Sequence, residues 1–198
     1  MKLTRLLVIT GILFAGGSTC VLAQERWQRL PPSRDVQFYA PRNKLEEFEA
    51  RNSTLLIKGR TWVATLRAQG GNVRVEATEI HNADDSSRAR GVTITFLMSN
   101  PATEVRCLID YDEIDHLVKA FDVMAKADES VTKLSHFEAH YRTSADFEII
   151  VFKQLSGGVA AAVEGGFVDR SRVLLTLEDF TRLRWMIVQA KERLDEIK

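Results

Sequence analysis

Two stretches of this sequence, 66 residues apart, carry the same apolar spacing. Ile114, Leu117, Phe121 and Met124 stand three, four and three apart, and Phe180, Leu183, Ile187 and Ala190 repeat those intervals, with Leu194 and Ile197 extending the second set. At 3.6 residues per turn each set falls on one stripe, so each predicts an amphipathic helix. The offset also matches Arg106 with Arg172 and Leu108 with Leu174, which carries the correspondence into the segments before the helices. A chain that repeats itself in this way uses one supersecondary unit twice.

Ahead of each helix the apolar period changes from 3.6 to two, the signature of strands. In the first half, Ala64, Leu66 and Ala68 alternate with polar neighbours, and after Gly70-Gly71-Asn72 the alternation resumes at Val73, Val75 and Ala77. This predicts a hairpin with Arg67 opposite Arg74, Ala68 opposite Val73, Leu66 opposite Val75 and Ala64 opposite Ala77. The small apolar side chains then share one face, and Thr65, Arg67, Arg74 and Glu76 share the other. A polar loop over His81 to Arg90 precedes a third strand with Val92, Ile94, Phe96 and Met98, and a fourth carries Val105, Cys107 and Ile109. In the second half the strand candidates are His136 to Arg142, Phe147 to Gln154, Val159 to Gly165 and Arg172 to Leu175.

Both helices open on a similar device. Asp110 with Glu113, and Thr176 with Asp179, place a capping side chain at the N-cap and an acid three residues on. Lys44 to Arg51 predicts a further short helix, with Leu45 and Phe48 on one face. The expected fold class is therefore α+β, an internal duplication of a four-stranded antiparallel unit followed by a helix. A single domain over 44–198 contains repeats at about 54–128 and 134–198.

The N-terminus has the order of a secretion signal. Lys2 and Arg5 precede an apolar run from Leu6 to Ala15, and Val21-Leu22-Ala23 supplies small residues for cleavage, so residues 1–23 are expected to be a signal peptide. Gly17-Ser18-Thr19 ahead of Cys20 departs from a lipidation box. The apolar run is also about half the roughly 20 residues that a bilayer span needs. Residues 24–43, with Pro31, Pro32 and Pro41, read as an extended linker or arm. The whole chain balances 27 basic against 27 acidic side chains, and cleavage would remove two of the basic ones. Nucleic acids and anionic membranes are bound through excess Lys and Arg, so neither is expected as a partner. Cleavage would also leave Cys107 as the sole cysteine, which excludes an internal disulfide. Its place in an alternating run predicts a buried structural thiol.

Few residues suggest chemistry. Asp110, Asp112, Glu113 and Asp115 beside His116 form an acidic run that helix capping explains better than a calcium loop does. Asp84-Asp85-Ser86-Ser87 reads as a solvated loop. His136, Glu138 and His140 alternate on one strand face, but the two histidine Cα atoms lie about 13 Å apart at 3.3 Å per residue, too far to share a metal unaided. Either histidine with Glu148 across the hairpin would make an acid–base pair, although no nucleophile motif accompanies it. Gly157-Gly158 and Gly165-Gly166 read as turns, since neither has the context of a phosphate cradle. Arg60, Arg67 and Arg74 are the candidate basic patch, closed by Glu76 on the same face. No residue is assigned a catalytic, cofactor-binding or metal-binding role.

The segments Leu108-Ile-Asp-Tyr-Asp-Glu-Ile-Asp, Phe137-Glu-Ala-His-Tyr-Arg-Thr and Leu175-Thr-Leu-Glu-Asp-Phe together resemble a family of uncharacterised exported bacterial proteins. The likeness covers about the last half of the chain and implies no activity. The duplicated unit is similar in topology to the PUR-repeat and Whirly single-strand-binding folds, a likeness of fold that transfers no function. The expected function is an exported, non-enzymatic binding or interaction module for a protein or small-molecule partner, periplasmic or extracellular, with no membrane span after cleavage. The alternatives are a hydrolytic or metal-dependent enzyme and a single-stranded nucleic-acid binder.

Overall fold

The computed structural model describes residues 40–99, 101–128 and 130–197. The expected signal peptide and all but the last four residues of the expected arm, 40–43, lie outside these residues. Helix α1 (Lys44–Glu49) leads into β1 (Leu56–Ala68), β2 (Gly71–Asn82), β3 (Arg88–Ser99) and β4 (Ala102–Asp110). A 3-10 turn over Tyr111–Glu113 then runs into α2 (Ile114–Met124). The second half gives β5 (Glu138–Arg142), β6 (Glu148–Lys153), β7 (Val159–Gly165), β8 (Ser171–Leu175) and α3 (Leu177–Glu196). Two antiparallel sheets result, ordered β1-β2-β3-β4 and β5-β6-β7-β8, so the chain is the predicted duplicated α+β unit. A bridge between Gln69, in the turn after β1, and Leu174 of β8 links the sheets where they meet.

One apolar core lies between the inner faces of the two sheets and the helices. Val75, Ile94 and Ile109 from the first sheet, and Ile149, Val163 and Val173 from the second, are fully buried in the same cluster. Both predicted helix stripes enter it, except Ile197, which lies past the end of α3 and is exposed; Phe121 of α2 meets Phe180 of α3 with ring centroids 4.5 Å apart. The helices are exchanged between the halves. α3, which follows the second sheet, lies mainly against β1, β2 and β3, while α2, which follows the first sheet, lies beside β5. Among the described residues no helix is long and apolar enough to cross a membrane.

The first hairpin differs from its expected register. Ala68 pairs with Gly71, Arg67 with Asn72, Leu66 with Val73 and Thr65 with Arg74, which is two residues tighter than predicted. Gly70, at φ +100°, lets Gln69-Gly70 make the turn alone, and Gly71 already belongs to β2. Because the slip is even, every side chain keeps its predicted face. A bulge at Val63 then shifts the pairing, so that Trp62 meets Glu76. The loop predicted over His81 to Arg90 shrinks to 83–87. Ile80 and Ala89, paired across β2 and β3, continue the ladder because α1 covers them.

α1 packs on the outer face of the first sheet, where Leu45 and Phe48 join Ile80, Ala89 and Leu108. Its approach is close: a Cβ on Gly91 would lie 2.0 Å from the Ile109 carbonyl oxygen and 2.7 Å from Leu45 Cδ1. The helix is held by its N-terminus. Asn43 Oδ1 accepts from Glu46 N at 2.9 Å, and the Asp110 carboxylate accepts from Lys44 N at 2.8 Å and Leu45 N at 3.0 Å. Asp110 therefore does not cap α2, contrary to expectation, and its side chain makes no bond to that helix start. The Glu113 carboxylate is also diverted, accepting from Ser144 N and Oγ at 3.0 and 2.7 Å. At α3 the predicted cap forms, with Thr176 Oγ1 accepting from Asp179 N at 3.0 Å.

Candidate functional site

The outer face of the second sheet carries a charged net centred on Glu148, which is 5% exposed. Its Oε1 lies 2.9 Å from His140 Nδ1, and its Oε2 accepts from Arg142 Nη2 at 2.8 Å and from Arg170 Nη2 at 2.5 Å. Pairing of Arg142 with Glu148 across β5 and β6, and of Glu148 with Glu164 across β6 and β7, brings these groups into one row. Arg170 and Arg172 neutralise Glu164 at 3.1 and 3.2 Å. Burial opposes the charge on Glu148, but the hydrogen bonds from His140, Arg170 and Arg142 outweigh it and hold its pKa at about 2.

His140 also has Glu138 Oε2 on Nε2, at 3.1 Å. Two carboxylate acceptors, one per ring nitrogen, favour a proton on each. Burial works against that charge, yet the bonds to Glu148 and Glu138 raise the pKa above the ordinary histidine value. The histidine and Glu148 thus meet, as the hairpin allowed, with the ring held between two acids that favour its protonated form. Both ring nitrogens are already committed. His136 lies ahead of β5 and is exposed, outside the net.

β5 is the edge of its sheet, pairing with β6 alone. Lys153 N donates to the Phe137 carbonyl at 3.1 Å and Thr143 N to the Phe147 carbonyl at 2.9 Å. This phase aims the backbone of Phe137, Ala139, Tyr141 and Thr143 at β6. The amides and carbonyls of Glu138, His140 and Arg142 therefore face the open edge, where nothing among the described residues pairs with them.

Beside that edge runs a groove floored by the flank of α2. One part, about 410 Å³, lies between His116, Ala120 and Val123 and the strand residues His140 and Tyr141. The other, about 420 Å³, continues past Val123 and Met124 to Ala127, Val131 and Phe137. Both volumes are in the range of ligand sites. Val123 and Val131 are 64% and 55% exposed, so apolar surface faces solvent along the groove. Sequence reasoning did not find this site, because its walls come from different repeats.

The remaining candidates fall elsewhere. Cys107 is fully buried and its thiol is pushed up to about 11, chiefly by burial, as a structural cysteine should be. Asp112 and Asp115 pair with Lys44 and Lys191, and Asp85 accepts from the Ser87 backbone and hydroxyl. Among the described residues no group of His, Cys, Asp and Glu is arranged to hold a metal. Of the candidate arginine patch, Arg74 lies between Glu76 at 3.6 Å and Glu104 at 3.7 Å, while Arg60 and Arg67 are exposed. No protein-family model matches the chain, and no curated protein matches it. Geometry alone carries the functional reading.

Proposed function

We propose that this chain is an exported, non-enzymatic binding module that takes an extended polypeptide segment as an added strand along β5. The observation that carries the reading is the open β5 edge, with the backbone groups of Glu138, His140 and Arg142 facing a groove of ligand size. A strand laid there gains main-chain hydrogen bonds from the edge, and its alternate side chains enter the apolar groove beside α2. Export is read from the leader of residues 1–23. The locked state of His140 and Glu148 favours binding over acid–base catalysis at this surface.

Amide hydrogen exchange on the full chain tests the proposal. A peptide of alternating apolar and polar residues should slow exchange at Glu138, His140 and Arg142 while leaving the β6-bonded amides of Ala139 and Tyr141 unchanged. Glu138→Pro removes one outward donor and leaves the β6 ladder intact, so it should weaken binding about tenfold or more, the worth of roughly one hydrogen bond. An unchanged unfolding temperature for this variant checks that the fold survives. Peptide binding that protects amides elsewhere, or that ignores Glu138→Pro, would overturn the reading.

A further inference from the structure

We infer that the segment taken by the α2–β5 groove is acidic, an extended polypeptide with apolar side chains at alternate positions and carboxylates among the rest. This rests on the strand-addition reading above and adds the chemistry of the occupant.

The argument is the distribution of charge on α2. Its acids are consumed on the flank facing α3, where Asp115 accepts from Lys191 Nζ at 2.5 Å and Asp122 from Arg184 Nη2 at 2.8 Å. The flank facing β5 carries His116 and Lys119, and Lys126 follows two residues past the helix end; all three line the groove and form no ion pair among the described residues. Lys126 also lies within the field of Asp122, which Arg184 already holds. Across the groove, the acid on the strand is Glu138, and it is bonded to His140. The walls thus present unmatched positive charge above an apolar floor.

The dimensions agree. From His116 to the helix end at Met124 the rise is about 12 Å at 1.5 Å per residue, and Lys126 follows two residues on. Five residues of an added strand extend about 13 Å. Such a segment runs along the helix past Lys119 toward Lys126 while its inward side chains rest on Ala120, Val123 and Met124. Charge of this kind acts mainly on encounter rate and on the choice between partners, and salt screens it. A second copy of this chain is a poorer occupant, since it would bring its own Lys119 and Lys126 to the same groove.

The test uses the full chain and three synthetic nonapeptides of one alternating pattern, whose polar positions are all Glu, all Gln or all Lys. Affinities are measured by fluorescence anisotropy at low and moderate salt, with exchange protection of Glu138, His140 and Arg142 recorded for each. The Glu peptide should bind about tenfold tighter than the Gln peptide, lose most of that advantage as the Debye length falls below about 10 Å, and rank above the Lys peptide. Lys119→Glu with Lys126→Glu should invert the ranking, which a misfolded variant would not do. Equal binding of Glu and Gln peptides with the edge protected overturns the acidic preference and leaves strand addition standing. Failure of all three to protect the edge overturns both, and edge protection by self-association without peptide replaces the acidic partner with a second copy.

Discussion

At the end of β4 the carboxylate of Asp110 turns away from the helix it precedes and binds the first two amides of α1, whereas at the end of β8 Thr176 caps its own helix. The two halves have the same order of elements and have diverged at this joint. In the first half the strand-to-helix corner became an anchor for an added helix, which covers the outer face of the sheet. In the second half the corresponding sheet has no such helix among the described residues, and its outer face is organised by Glu148 and its cationic neighbours. A position that looks equivalent in sequence thus serves long-range attachment in one repeat and local capping in the other.

The comparison is broken most forcefully at Asp110. Asp110→Ala removes the acceptor of two backbone amides and loosens the apolar contact of Leu45 and Phe48, so it should cost about 3 kcal/mol, the scale of charge-assisted hydrogen bonds. Denaturant titration checks the value, and faster amide exchange at Lys44 and Leu45 identifies the cause. A loss no larger than that at Thr176 would mean that Asp110 is an ordinary cap.

Glu148 offers the corresponding cut in the second half. Its pKa is about 2 in the fold against an ordinary 4.5, so its stabilisation is fully present above about pH 4.5 and is lost as the pH falls through about 2. Glu148→Gln should therefore cost about 2 kcal/mol near neutral pH, after allowance for partly exposed partners. It should also flatten the acid limb of the stability profile between pH 4.5 and 2. A variant with an acid limb as steep as the parent's would place the titrating group elsewhere.

The smallest effect belongs to Thr176→Ala, at about 1 kcal/mol for loss of a helix cap. Thermal unfolding should show it, and the difference between this loss and that at Asp110 measures how far the two joints have diverged.

Local patterns made most of the fold legible. The stripes of α2 and α3 and the alternation of every strand are short-range signals, and each matches an element. Parity explains both the success and the error in the first hairpin: alternation assigns Leu66, Val73 and Val75 to the core face, but it cannot distinguish registers two residues apart. The exchange of helices was invisible because the two apolar stripes are interchangeable as patterns; either would fit either sheet. Asp110 was misread since capping was judged from neighbours in sequence, and its partners lie 66 and 65 residues away. The meeting of His140 with Glu148 was legible, because a tight hairpin brings them together. The groove was not, since Val123 and Tyr141 become neighbours only when α2 has crossed to the second sheet.

That crossing also orders events in time. β1, β2 and β3 precede α2 and the whole second sheet along the chain, yet the helix that seals their inner face, α3, follows all of them. Their apolar side chains have no complete shelter until Phe180, Leu183 and Ile187 arrive, well over a hundred residues after β1 begins. Contacts of such sequence separation slow folding, because the loop between them must be closed before they form. The first sheet is thus a sheet in waiting, and its inner face closes only once α3 has crossed over to it.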